Sequence, residues 1–523
     1  MEPVHRDLMR RFHALVLVVA LAAFPVAVNA AHPCAALSKF TMPGHKVIIR
    51  KAQDVPAGNL PPNPNGPPGP PQSFPPHCRV EGVIDEHIGR DNKSYGIGFA
   101  VALPASWNGR FLFQGGGGLN GSVQPPLGAQ FAGDASALAR GFAVASTDSG
   151  HQGAGFDGSF LQDQQAALNF LYQAVAEVTL VAKQIVAQHY GKPQEHAYFI
   201  GCSTGGREAM MMSQRFPNYF DGIVAGAPAM RTSFSNLGLR HAATALNAIA
   251  PPGPDGKPNT RAALSDADRR LLIEGVREAC DALDGSRDGF IFAPHRCPFD
   301  VGTLACKDGQ KDRCLTTAQV NAIRIVMQGP RTASGRQIYP GYYFDTGIAA
   351  TQGLPGVLAG PFIPEGRPAG VTMDIETAWA EAADARSMVG DTDAWTNLGS
   401  YRGHGGKLVF LHGVSDPWFS AQDTVQYYER LGRDNAEVPV AQWSRLFLVP
   451  GMGHCGGGER TLDRFDMLSA IVDWVESGRA PERVIATGAS APGESRPLCP
   501  YPAHAQYTGS GDAHAAANYL CRD

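Results

Sequence analysis

The stretch Ala197-Tyr198-Phe199-Ile200-Gly201-Cys202-Ser203-Thr204-Gly205-Gly206 decides the fold. Its first four residues form an apolar, strand-like run, and Arg207 to Arg215 beyond it is helix-like, so the piece reads as strand, tight turn and helix. Gly201 and Gly205 match the Gly-x-Ser-x-Gly nucleophile elbow, where positions without a side chain let strand and helix approach closely and lift the serine oxygen above the sheet. Ser203 is therefore the candidate nucleophile. A glycine-rich loop with an incidental serine is the alternative for the pentapeptide alone, and the flanks argue against it.

Upstream, Arg110-Phe111-Leu112-Phe113 reads as a buried strand running into Gln114 and the four glycines Gly115 to Gly118, and Phe142-Ala143-Val144-Ala145 reads as the next strand. Between them and the elbow, residues 163–190 carry Leu168, Leu171, Val175, Val178, Val181 and Ile185 at helical spacing, which predicts a long helix packed on a sheet. The glycine run suits a loop whose bare N–H groups face a developing negative charge. Gly115 is the best single candidate for that oxyanion hole, with the backbone N–H of Thr204 as the second donor. No Lys-Ser or Lys-Thr follows the glycines, so a phosphate-binding P-loop is not supported.

Downstream, Ile223-Val224-Ala225 is another short core strand, after which residues 230–395 show little strand alternation, many prolines and glycines, and helices starting near Ser265 and Thr317. Sheet-like runs resume at 407–412 and 445–449. The expected fold class is thus α/β: an α/β-hydrolase core made of 31–229 and 396–523, with 230–395 inserted as a lid. The resumed strands lead into Asp416, in His412-Gly413-Val414-Ser415-Asp416, and into His454, in Gly451-Met452-Gly453-His454-Cys455. The order Ser, Asp, His is the one α/β-hydrolases use. His454 would take the proton from Ser203, and Asp416 would orient the imidazole.

Inside the lid, Cys280 to Phe290 places three aspartates within eight residues, interleaved with glycines. Such density repels itself unless a cation sits among the carboxylates, and hard oxygen ligands suit Ca²⁺. Asp281, Asp284 and Asp288 would supply side chains, with backbone carbonyls from Ser286 and Phe290. An acidic, solvated turn is the competing reading.

The remaining features set the compartment. Arg6, Arg10 and Arg11 precede an apolar run from Leu15 to Val28, and Val28-Asn29-Ala30 offers a cleavage point, so 1–30 reads as a secretory signal. The run is shorter than the roughly 18 to 20 residues of a membrane span, and nothing later is expected to cross a bilayer. Export to the periplasm or outside the cell favours disulfides for ten cysteines. Sequence proximity suggests Cys34 with Cys78, Cys280 with Cys297, Cys306 with Cys314 and Cys499 with Cys521, leaving Cys202 and Cys455 beside Ser203 and His454. Residues 55–76, dense in proline and glycine, predict an extended, irregular arm. A net charge of -4 without a basic run gives no support for a nucleic-acid partner. Of two glycosylation sequons, at Asn92 and Asn120, the second falls in the proposed oxyanion loop and is not expected to carry sugar.

The chain resembles the tannase and feruloyl esterase family, which also includes a hydrolase of mono(2-hydroxyethyl) terephthalate. The resemblance runs from about Cys34 to Cys521. It rests on Gly201-Cys202-Ser203-Thr204-Gly205-Gly206-Arg207-Glu208, Gly222 to Pro228, Cys280 to Gly285, Gly413-Val414-Ser415-Asp416 and Gly451-Met452-Gly453-His454-Cys455. It implies a catalytic Ser203, Asp416 and His454, a disulfide between Cys202 and Cys455, and lid calcium at Asp281, Asp284, Ser286, Asp288 and Phe290. It also implies that Phe419 packs on the aromatic acid of a small ester substrate. The second half of the lid, 341–396, is short for the terephthalate enzyme, with no counterpart of its carboxylate-gripping arginine or substrate-packing tryptophan. Feruloyl-type esters are therefore expected first, galloyl esters next and terephthalate monoesters as a side activity. A secreted serine peptidase and a non-catalytic, calcium-stabilised binding protein are the readings from other classes.

Overall fold

A computed structural model describes residues 32–60, 72–363, 369–384 and 389–523. The signal expected over 1–30 and the middle of the proline-rich arm, 61–71, lie outside the described residues. The described ends of that arm are not irregular, because Gly58–Leu60 pairs antiparallel with Gln72–Phe74.

Nine strands form the central sheet: β1 (Val47–Val55), β2 (His77–Ile88), β3 (Ser94–Pro104), β4 (Arg110–Gln114), β5 (Ala143–Thr147), β6 (His196–Cys202), β7 (Gly222–Gly226), β8 (Lys407–Gly413) and β9 (Ser444–Val449). Their spatial order is β1-β2-β3-β5-β4-β6-β7-β8-β9. The first three strands are antiparallel, and from β5 to β9 every neighbouring pair is parallel. Parallel strands need crossover connections, and the helices that supply them cover both faces.

Helices α1 (Ala174–Tyr190) and α2 (Thr204–Arg215) follow β5 and β6. Four more come in chain order: α3 (Thr232–Asn247), α4 (Asp266–Cys280), α5 (Thr317–Gln328) and α6 (Ala421–Asp434), with α7 (Met467–Ser477) last. Alternation along the strands decides which helix meets which face. Phe111, Phe113, Phe199 and Phe410 pack with Val178, Val181 and Ile185 of α1, Met210 of α2 and Leu431 of α6. Leu112, Tyr198, Val409 and Leu411 point the other way, onto Leu468, Ile471 and Trp474 of α7.

The helix expected over 163–190 is one continuous helical run with Asp163 as its N-cap and a π-helical turn at Asn169–Gln173. Gln164–Tyr190 is long and apolar enough, by length and composition alone, to cross a membrane, contrary to the expectation that nothing beyond the leader would be. Here its apolar face is buried in the sheet core.

Between β7 and β8 no described residue joins the nine-stranded sheet. Helices α3 to α5 pack there around an apolar cluster of their own that includes Leu246, Leu272, Ile323 and Val326. Both α4 and α5 begin with capping boxes, at Ser265/Asp268 and Thr316/Gln319, so the expected helix starts are met to the residue or one residue early.

Candidate active site

The elbow is built as its glycines require. Ser203 sits between β6 and α2 with φ 65° and ψ −123°, a conformation unusual for a residue with a side chain. A Cβ on Gly201 would lie 2.5 Å from the Gly205 backbone, and one on Gly205 would lie 2.7 Å from Gly116 O. Only glycines permit this approach.

Asp416 and His454 follow β8 and β9, neighbours in parallel register. His454 Nδ1 lies 2.7 Å from Asp416 Oδ2. Asp416 is wholly buried, and its Oδ1 accepts the N–H groups of Trp418 (2.8 Å) and Phe419 (3.1 Å). Burial alone would raise its carboxyl, yet His454 and His412 beside it hold it well below the usual carboxylate range. His412, fully buried, donates Nε2–H to Phe419 O at 3.0 Å and lies 3.5 Å from Asp416 Oδ2. The other ring nitrogen of His454, Nε2, is buried and has no hydrogen-bond partner.

The Ser203 elbow is tied covalently to the His454 turn, although no hydrogen bond joins Ser203 Oγ to the unpartnered His454 Nε2. Cys202 and Cys455 form a disulfide with Cα atoms 6.0 Å apart across 253 positions of chain. The other four expected pairs, Cys34–Cys78, Cys280–Cys297, Cys306–Cys314 and Cys499–Cys521, are also joined.

Gly115 needs a correction. Its N–H donates to Ile200 O at 2.9 Å, extending the β4/β6 ladder, so it is not a free oxyanion donor. Gly116 N–H is also engaged, by Glu208 Oε2 at 2.9 Å. Among the described residues Gly117 N–H and Thr204 N–H have no acceptor, and nothing lies within 4 Å of where a Gly117 Cβ would be. Glu208, which motif reasoning left without a role, is buried and collects Gly116 N–H, Asn120 Nδ2 (2.9 Å) and Ser149 Oγ (3.0 Å). Burial raises its carboxyl, and Gly116, the neighbouring Arg207 charge, Asn120 and Ser149 offset that rise only in part. Asn120, the second sequon, is thereby buried under the loop.

Aromatic rings surround the histidine. Trp418 and Phe419 lie 4.7 and 5.2 Å from the His454 ring. Trp418 also meets Phe156 and Phe362 at 6.0 and 6.1 Å, both of them about half exposed. Nothing in the sequence around Phe156 or Phe362 marked them, because they reach this point from separate loops.

The acidic turn is partly self-satisfied. Asp281 accepts the N–H groups of Asp288 and Gly289, and Asp288 pairs with the buried Arg496 at 2.5 Å. Asp284 is buried, its Oδ2 has no partner, and burial with Asp288 and Asp281 nearby pushes its carboxyl up to about 8. Among the described residues no three His, Cys, Asp or Glu side chains already converge as a metal cage. An all-oxygen donor set around an orphaned buried carboxylate oxygen nevertheless fits a hard cation.

Fold and site together define a carboxylic ester hydrolase of the α/β-hydrolase type. The chain belongs to the tannase and feruloyl esterase family, whose profile, "Tannase and feruloyl esterase", matches residues 78–360 and 371–522. It is 38% identical to the mono(2-hydroxyethyl) terephthalate hydrolase of Piscinibacter sakaiensis, over 86% of this chain and 85% of that protein. It is 30% identical to a probable feruloyl esterase B-2 of Aspergillus terreus, over 83% and 84% of the two chains. Among solved structures, feruloyl esterase B from Aspergillus oryzae superimposes with a TM-score of 0.74 at 26% identity, covering 94% of this chain and 99% of its own. The tannin acyl hydrolase of Aspergillus niger shares the fold, with a TM-score of 0.67 at 22% identity over 94% and 93% of the two chains.

Proposed function

We propose that this chain is an exported serine esterase acting on esters of aromatic acids, feruloyl-type acids first and galloyl esters next. The observation that carries the reading is the buried Asp416–His454 pair, with an unpartnered Nε2 and a disulfide tying it to the Ser203 elbow. Ser203 Oγ attacks the ester carbonyl while His454 Nε2 takes its proton. Asp416 holds the ring and stabilises the imidazolium. The N–H groups of Thr204 and Gly117 receive the oxyanion, the proton passes to the leaving alcohol, and water then releases the acid from the acyl-enzyme by the same steps. Phe419, beside His454, offers a face to the aromatic acid. Residues 230–395 serve as the lid, and five disulfides accord with an oxidising compartment.

Calcium belongs to the same proposal. Asp281, Asp284, Ser286, Asp288 and Phe290 would hold it, and its positive charge would offset the buried carboxylates in a structural role.

The 38% relative named for terephthalate monoester hydrolysis supports that reaction as a side activity, behind feruloyl and galloyl esters. Purified protein assayed on methyl ferulate, methyl gallate, chlorogenate and mono(2-hydroxyethyl) terephthalate, with ethyl acetate as the ester of a non-aromatic acid, ranks the acyl groups by kcat/KM. Ser203→Ala should fold normally and lose roughly 10⁴- to 10⁶-fold in kcat. A folded Ser203→Ala protein keeping a tenth of the turnover would sink the assignment, and a best substrate without an aromatic acid would sink the substrate class.

A further inference from the structure

The Asp416–His454 bond spans two loops, one after β8 and one after β9, and its length depends on how those loops are held together. Asp345, from the insertion, stands between them. Its side chain is fully buried, and Oδ2 accepts two hydrogen bonds of 2.7 Å each, from Ser415 Oγ and from Gly451 N–H. Ser415 directly precedes Asp416, and Gly451 opens the turn that carries His454. Ser415 Oγ in turn accepts the N–H of Gly347 at 3.0 Å.

The contact is part of a longer seam. Tyr342 Oη donates to Pro417 O at 3.2 Å, Tyr339 Oη accepts from Ser420 N–H at 3.1 Å, and Ser420 Oγ donates to Gly341 O. Residues 339–347 therefore grip 415, 417, 420 and 451. The fit leaves no slack, since a Cβ on Gly347 would lie 2.7 Å from Ser415 Cβ and Oγ and 2.9 Å from Gly451 O.

We propose that Asp345 is a positioning residue for the esterase reaction, a single buried carboxylate that clamps the Asp416 loop to the His454 loop from the insertion. It touches neither substrate nor reacting atoms. It acts by holding Asp416 and His454 in bonding register, and through Gly347 and Tyr342 it makes that register depend on the insertion being docked. The inference rests on the reading of Ser203, His454 and Asp416 given above.

A clamp of this kind predicts a loss in kcat rather than KM, because the ground-state ester is bound by other groups while proton transfer needs the base in place. Displacements of about 1 Å at such sites cost on the order of 100-fold in rate. Asp345→Ala, Asp345→Asn and Ser415→Ala are compared with wild type and Ser203→Ala, at 25 °C, on the best aromatic ester, with melting curves recorded for each. Asp345→Ala should lose roughly 100-fold in kcat with KM within about threefold. Asp345→Asn keeps one oxygen able to accept both bonds and should recover most of that loss. Ser415→Ala, which removes one arm, should fall between the two. If Asp345→Ala does not fold, Ser415→Ala decides, and a kcat loss of about tenfold at unchanged KM supports the clamp.

The clamp is overturned, with the esterase reading intact, if Ser203→Ala is inactive while folded Asp345→Ala or Ser415→Ala turns over like wild type. It is equally overturned if these variants change only KM, or only the melting temperature. An active Ser203→Ala protein overturns the reading of the site and the clamp with it.

Discussion

Glu208 is a carboxylate surrounded by donors: Gly116 N–H on one oxygen, Asn120 and Ser149 on the other. By anchoring Gly116 it orients the next N–H, that of Gly117. Glu208→Gln would set an amide N–H₂ against a donor and leave one bond unmade, at a buried position where such a mismatch is costly. Turnover should fall roughly 10- to 100-fold with KM little changed, somewhat less than the loss of a whole oxyanion donor. Steady-state kinetics check this; equal changes in kcat and KM would assign Glu208 to substrate binding instead. Asp284 yields a pH prediction. Its folded carboxyl is pushed up to about 8 against an ordinary 3.8, so between those values the native state holds a proton that the unfolded state has lost. Stability must then fall as pH rises through that window. A bound calcium would favour the ionised form and remove the fall. Melting temperatures from pH 4 to pH 8 should therefore decline in chelator and stay level in excess calcium. Superimposable curves would show that no cation is held.

At the scale of elements, two strand-to-loop junctions are welded by Cys202–Cys455, each cysteine next to a residue of the proposed triad. The elbow is rigid through close backbone packing, whereas the His454 turn is a loop with Cys455 at φ 64°. The disulfide lends the elbow's rigidity to that turn. Replacing both cysteines by serine should lower kcat more than it raises KM, and should also lower the melting temperature. Closing so long a loop contributes roughly 5 kcal/mol in the chain-entropy model. Kinetics and calorimetry of the double variant test this, and wild-type turnover at 25 °C would reduce the bridge to a stabilising staple.

At the scale of the molecule, the mouth of the site is assembled from parts far apart in the chain. Phe156 comes from the loop after β5, Phe362 from the insertion and Trp418 from the loop after β8. Trp418 Nε1 donates to Phe362 O at 3.1 Å, which holds the indole over His454. An aromatic acid stacked there would gain about 0.5 to 1.5 kcal/mol from ring contacts. Trp418→Ala should accordingly raise KM for methyl ferulate about two- to tenfold and leave ethyl acetate hydrolysis nearly unchanged. A similar change on both esters would place the indole outside the acyl site.

The sequence by itself determined the elbow, the order of Ser203, Asp416 and His454, the capped helices α4 and α5, and the strand segments β4 to β9. These depend on short-range rules: glycine where a Cβ cannot fit, apolar periods of two and 3.6, and capping residues three apart. Only the tertiary structure decided which glycine N–H is free, because the β4/β6 register engages Gly115 with Ile200 and leaves Gly117 open. It alone added the antiparallel strands β1 to β3, and it joined Asp345 to Ser415 and Gly451. Hydrogen-bond partners and buried faces are set by which distant segments pack together, and a linear pattern does not record those distances.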